Sequence, residues 1–201
     1  PEAAKTMASG MDRAIEKCQT AIKKHSIRVK PAKKPNSRSK DSYKRFYEQE
    51  EFNPFMDEVF LLMANAQFHK GDFQSASATS QYIMRHFAYD PKTSSQAAIL
   101  LARSYKELNL LYEAEQVFNN LDKTSLPSSL TGSFSAAYAD FLLARKQYET
   151  AIPYLKIAIK HAPDKRDKQR WTFLLGQLYQ QSGQRREAEQ TYASIPNLNP
   201  P

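Results

Sequence analysis

Side chains able to do chemistry are sparse in this chain of 201 residues, and their spacing argues against a reaction centre. The four histidines are His25, His69, His86 and His161. No pair of them has metal-ligand spacing, and three fall in the last turn of a predicted second helix, where an imidazolium is favoured by the helix dipole. Cys18 is the only cysteine, which excludes an internal disulfide and a cysteine-based zinc site. No serine or cysteine lies in a nucleophile motif, and no glycine-rich loop precedes a helix. Glu48, Glu50 and Glu51 cluster beside Asn53 and Pro54. As a general acid and base they lack a pocket, and they read as ordinary acids near a helix start. The expectation is therefore no catalytic residue, no cofactor and no metal.

The elements that carry these residues are all helical. Only five glycines occur, and alanine, leucine, glutamine and lysine, all helix formers, are frequent. No apolar run approaches the roughly eighteen residues needed to cross a bilayer.

An internal repeat organises the chain. Ala76, Ala114, Ala151 and Ala188 stand 38, 37 and 37 residues apart. Four residues on come Phe118, Leu155 and Tyr192, with Ser80 in the first repeat, so a small and a bulky side chain share one helix face. Twelve residues upstream of each alanine is another small residue: Ala64, Ala102, Ala139 and Gly176. Larger residues precede these, and Tyr105 and Tyr179 follow two of them by three positions. This is the pattern of a tetratricopeptide repeat, in which small residues let paired helices approach. Gly71, Asn109 and Gly183 occupy the turn between helices, where a left-handed residue is required; Lys146 in the third repeat predicts a different or strained turn. Pro153 lies two residues after Ala151 and so must sit in an opening turn, which starts that helix near Tyr148. Pro91, Pro127, Pro163 and Pro196 are expected to close the second helices.

The fold class that follows is all-α, a right-handed superhelical solenoid of antiparallel helix pairs. Residues 1–26, with Ala14 and Cys18, read as the trailing helix of a preceding repeat. Residues 27–54 read as a basic, mobile insertion ending in EEFNP, with a short helix near Tyr43 to Gln49. Residues 55–201 form four repeats at about 55–91, 92–128, 129–165 and 166–201. The chain reads as an excised piece, with Trp171, Phe173 and Tyr192 partly exposed on its last hairpin.

Charge follows the same divisions. Residues 23–45 hold ten Lys or Arg against one acid, Asp41, which exceeds the whole formal charge of +8 and leaves −1 for the rest. The insertion's basic residues include Lys30, Lys33, Lys34, Arg38, Lys40, Lys44 and Arg45. In a stacked array the first helix of each pair lines the concave side, which places Asn65, Phe68, Arg103, Lys106, Asp140, Arg170, Gln177 and Gln180 there as candidate protein-binding residues. Their mixed charge suits a protein surface or an extended peptide better than a phosphate backbone. The insertion's aromatics Tyr43, Phe46, Tyr47 and Phe52 have the spacing of packing residues rather than of a base-stacking platform.

AIEKCQTAIKKHSI, a basic spacer, and YEQEEFNPFMDEVFLLMANAQFHKGDF together resemble the tetratricopeptide outer-membrane lipoproteins of Bacteroidota associated with type IX secretion and gliding motility, the SprE and PorW type. The resemblance covers residues 11–121, with EEFNP its most specific part. It implies a scaffold or adaptor on the periplasmic face of the outer membrane, with partners in an envelope secretion and motility complex. Membrane contact would come only through an anchor outside this sequence, because Cys18 lies inside a helix. Two other classes stay open: a nucleic-acid-binding helical-repeat protein using the basic insertion, and a regulatory accessory domain of an enzyme. Nucleic acid is not expected as a partner, since tracking a backbone needs charge spread along a groove.

Overall fold

The structure, a computed structural model, describes residues 2–32, 39–121 and 126–196. Every regular element among the described residues is helical. The ten α-helices are α1 (Glu2–His25), α2 (Lys40–Glu48), α3 (Met56–Lys70), α4 (Phe73–His86), α5 (Pro91–Glu107), α6 (Leu111–Asn120), α7 (Thr131–Ala144), α8 (Tyr148–Lys160), α9 (Lys165–Gln181) and α10 (Arg185–Ala193). No helix among the described residues is long and apolar enough to cross a membrane. The chain divides into two compact units, residues 1–126 and 127–201. In the first, α3 pairs with α4 and α5 with α6, while α1 packs on α3, and α5 packs on both α3 and α4. In the second, α7 pairs with α8 and α9 with α10, and α8 packs on α9. Each unit is thus a stack of antiparallel hairpins, the all-α repeat fold expected from the sequence.

The pairing is close because the small residues are where helices meet. Ala64, Ala76, Ala102, Ala114 and Ala151 are 0% exposed, Ala139 1% and Ala188 4%. Gly176 needs its missing side chain, for a Cβ there would stand 2.4 Å from the Tyr192 ring. Phe118 and Leu155, the bulky partners four residues on, are each 2% exposed. Ser80, at the same position in the first pair, is 0% exposed, and its hydroxyl has no hydrogen-bond partner among the described residues. Aromatics pack together in the same unit: Phe60 lies 5.7 Å from Phe87 and 4.8 Å from Tyr82, centroid to centroid. Cys18 of α1, 4% exposed, joins Phe60, Met63, Ile83 and Phe87 in one core.

All four turns within the helix pairs share one geometry, so of the two expectations for the third, a different turn or a strained one, it is the strained one that holds. Gly71, Asn109, Lys146 and Gly183 have φ of 89°, 59°, 59° and 74°. In each, the next residue's N–H reaches back five residues: Asp72 to Gln67 O at 2.9 Å, Leu110 to Tyr105 O at 2.8 Å, Gln147 to Leu142 O at 2.9 Å and Gln184 to Tyr179 O at 2.8 Å. Lys146 therefore makes the common turn and bears the left-handed strain that glycine avoids. The helix α8 starts at Tyr148, as expected, but this leaves Pro153 inside the helix and past its opening turn, where it cannot donate to the carbonyl of Glu149. Pro91 does not close α4; it opens α5 one residue after the cap Asp90, whose carboxylate accepts from Lys92 N at 3.1 Å.

The insertion between α1 and α3 has fixed ends, which its composition did not suggest. Glu51, 8% exposed, accepts hydrogen bonds from Ser26 Oγ at 2.5 Å, Ile27 N at 2.7 Å and Asn53 N at 2.9 Å. Phe52 N donates to Ile27 O at 2.8 Å, and Asn53 Nδ2 donates to His25 O at 2.8 Å, satisfying a carbonyl at the end of α1. Glu51 is therefore no ordinary helix-start acid. It closes the loop, because a carboxylate given three donors is a strong buried anchor.

Candidate functional site

Within the first unit, the sequence-derived surface residues of α3 and α5 come together. Phe68 and Arg103 meet, with the guanidinium carbon 4.4 Å from the ring centroid. Phe68 also stands edge-on to Phe73 at 5.2 Å. The stack holds an Arg and an aromatic rigidly at the surface, a pairing that protein interfaces favour. Lys106 pairs with its neighbour Glu107 at 2.5 Å. Asn65 donates from Nδ2 to Leu61 O at 2.8 Å, so its amide is committed to its own helix and offers an acceptor outward.

In the second unit Asp140 is exposed on α7, while Arg170, Gln177 and Gln180 are exposed on α9. Arg170 lies 3.6 Å from Asp167 one turn back, and Gln180 Oε1 accepts from Tyr192 Oη at 3.4 Å. Phe173 is 41% exposed and tilted on Tyr192 at 5.5 Å.

Three described basic residues of the insertion, Arg28, Lys30 and Arg45, lie against the chain's own aromatics. Lys30 Nζ lies 4.8 Å from the Tyr47 ring centroid and 5.6 Å from that of Phe46. The Arg45 guanidinium lies 5.0 Å from the Tyr89 ring, and Arg28 Nη2 donates to Tyr82 Oη at 3.0 Å. Burial holds the Tyr89 phenol above its ordinary pKa, with Arg45 pulling it back. Phe46 is buried against Phe52 at 5.9 Å, which agrees with a packing role, whereas Tyr47 is 53% exposed. Lys40 is exposed at the start of α2, and Lys44 lies within that helix. Lys33, Lys34 and Arg38 lie outside the described residues.

Among the described residues no group of three or more His, Cys, Asp or Glu could hold a metal ion. His86 has a structural neighbour instead: its Nδ1 lies 2.5 Å from Glu50 Oε2 and its ring stacks on Tyr82 at 4.2 Å. The Cys18 thiol is pushed above its ordinary pKa by burial, which suppresses the thiolate that chemistry would need.

One surface escaped the sequence reading. On α3, Phe55 at the cap is 66% exposed and Leu62 57%. Their equivalents 38 residues on, Thr93 and Leu100 of α5, are both 4% exposed and sit under α3, where Thr93 Oγ1 approaches Asp57 Oδ2 at 3.3 Å. The face of α5 that α3 covers is thus open on α3 itself. Leucine stands at both register positions, 62 and 100, so the sequence carries no signal of the difference.

The described residues form paired helices on a helical repeat. A family model described as tetratricopeptide repeat matches residues 142–201, the stretch that holds α8, α9 and α10. Repeats of this kind generally mediate protein–protein interaction. Comparison with curated proteins gave no match.

Proposed function

We propose that the chain is a scaffold or adaptor that holds other proteins and is not an enzyme. The observation that carries this reading is the open apolar face of α3. Two large side chains, Phe55 and Leu62, stand exposed where the next repeat buries its equivalents. A partner helix laid along α3, as α3 lies along α5, would cover both. The finer reading is a part in assembling or coupling a bacterial trans-envelope secretion and gliding apparatus of type IX, at the periplasmic face of the outer membrane. What supports it is the resemblance over residues 11–121. The nucleic-acid alternative is weakened by the basic insertion, since Lys30 and Arg45 are already spent on internal rings.

Crosslinking in the intact cell envelope, followed by mass spectrometry, tests both levels. Envelope proteins should be captured, and Leu62→Glu should lose them. Undiminished capture by that variant and by Arg103→Glu with Lys106→Glu would remove the helix faces as the binding surface. Capture of only cytoplasmic proteins would end the envelope reading while leaving the scaffold reading intact.

A further inference from the structure

We propose a second binding site, a cleft between α8, α9 and α10 that takes an acidic peptide segment with an apolar anchor, supplied by a partner protein. The proposal rests on the reading of the chain as a protein-holding scaffold, but on different residues. At 100° per residue, Lys168, Thr172, Leu175 and Tyr179 lie on the side of α9 turned away from Arg170 and Gln177. The cleft is therefore distinct from the surface that the repeat pattern points to.

Its volume, about 800 Å³, is that of a ligand site rather than a packing defect. Ile159, Leu175, Tyr179 and Ile195 are among the residues that line it and give it an apolar floor. Lys156, Lys165 and Lys168 stand around that floor, and Lys156 Nζ lies 5.5 Å from the Tyr179 ring centroid. Among the described residues no ion pair is formed by any of the three. Glu187 is the one carboxylate among the lining residues, so the positive charge outweighs it. An apolar side chain flanked by carboxylates satisfies both features at once.

The hydroxyls decide between a peptide and a phosphate ligand. Thr172 Oγ1 donates to Lys168 O at 2.7 Å, Thr191 Oγ1 to Glu187 O at 2.7 Å, and Ser194 Oγ to Thr191 O at 2.6 Å. Each proton is committed to its own helix, so what these groups offer the cleft is an acceptor lone pair. Acceptors suit the N–H groups of a peptide, donors that a phosphate group does not supply. The three lysines then engage carboxylates as exposed point charges, which makes the interaction sensitive to salt.

Fluorescence anisotropy tests this with the whole chain and a short fluorescein-labelled peptide of glutamates carrying two leucines one helical turn apart. Binding should weaken as ionic strength rises, and replacing the leucines by glutamine should abolish most of it. Lys165→Gln combined with Lys168→Gln should weaken binding roughly tenfold. Thr191→Trp, which fills the cleft and leaves its charge untouched, should block binding, with circular dichroism checking that each variant folds. No binding, equal affinity in the lysine variant, or indifference to Thr191→Trp would overturn the proposal. So would an oligonucleotide of matched charge binding as tightly through the same lysines. Failure here with intact, Leu62-dependent capture from the envelope sinks only the cleft, whereas loss of that capture sinks the scaffold reading.

Discussion

The same cleft occurs in both units, and only one of them has been given chemistry. In the first unit it lies between α4, α5 and α6, where Met84, Ala98, Val117 and Asn120 enclose about 320 Å³. The residues 74 or 75 positions later, Ile159, Thr172, Thr191 and Ser194, line the cleft of about 800 Å³ in the second unit. Ser94 of the first corresponds to Lys168 of the second. The hollow itself is a consequence of stacking hairpins with short side chains at fixed register. Its charge and depth are independent choices, made by a few residues that the packing does not constrain. A repeat can in this way hold its fold constant while changing what it binds.

That separation of frame from surface can be broken or sharpened by comparing equivalent positions. The largest effect is expected in the frame. Leu155→Ala in α8 should cost about 2–5 kcal/mol in urea unfolding, because the side chain is 2% exposed and leaves a cavity. At the equivalent place in α4, Ser80→Ala should act oppositely and stabilise by about 1 kcal/mol, since it removes a buried hydroxyl with no partner among the described residues. A loss of stability at Ser80 would mean that its hydroxyl is satisfied after all.

Glycines give the next contrast. A Cβ on Gly132 would stand 2.6 Å from His161 Cβ and 3.2 Å from its carbonyl oxygen, neither of which can swing aside. Gly132→Ala should destabilise the chain by about 1–3 kcal/mol. Gly10 in α1 meets nothing within 4 Å, so Gly10→Ala should add about 0.5–1 kcal/mol from helix propensity. Thermal melts of the two variants should therefore move in opposite directions.

Turns come third. Lys146→Gly should relieve left-handed strain and stabilise by about 1 kcal/mol, while Asn109→Gly, at the same φ of 59°, should gain only a few tenths of that because asparagine tolerates the region. Equal gains at both would show that the turn carries no side-chain strain.

Helix caps give the smallest effect and the one that depends on pH. Asp72 accepts from Ser75 N at 3.0 Å, and hydrogen bonds from Ser75 hold its carboxyl below the usual range. The equivalent caps of α8 and α10, Gln147 and Gln184, make no such bond. A lowered carboxyl contributes stability that is full above the unfolded carboxylate range and is lost as pH falls through the folded value. Because the side chain is partly exposed, the loss on acidification should stay below about 1 kcal/mol, and Asp72→Asn should remove most of it. Gln147→Asp should introduce a matching acid-sensitive step in the second unit.

Much of this frame could be read from residue order. The alanines at 76, 114, 151 and 188 are legible because a helix crossing excludes a large side chain wherever it occurs, and the turn residues are legible because few side chains tolerate positive φ. Lys146 left two outcomes open, a different turn or a strained one, because a lysine at that position says nothing of the turn its neighbours enforce. Glu51 misled for another reason: its donors, Ser26 and Ile27, lie across the insertion, and an acid's partners at that separation leave no local periodicity. The candidate surface was legible in part. Phe68 and Arg103 stand three register positions apart on adjacent first helices and do meet, whereas Lys156, Lys165 and Lys168 are spread over two helices and carry no repeat pattern.

By itself, then, the order of residues determined that the chain is helical, where each helix pair turns, and which small residues let the pairs close. These are short-range demands of backbone conformation and local packing, and each is written within a few turns of helix. Only the tertiary structure decided that Glu51 seals the insertion, that Leu62 is left in water while Leu100 is covered, and that three lysines surround one apolar hollow. Those outcomes depend on which surfaces remain after the hairpins have stacked, a long-range property that composition and spacing do not encode.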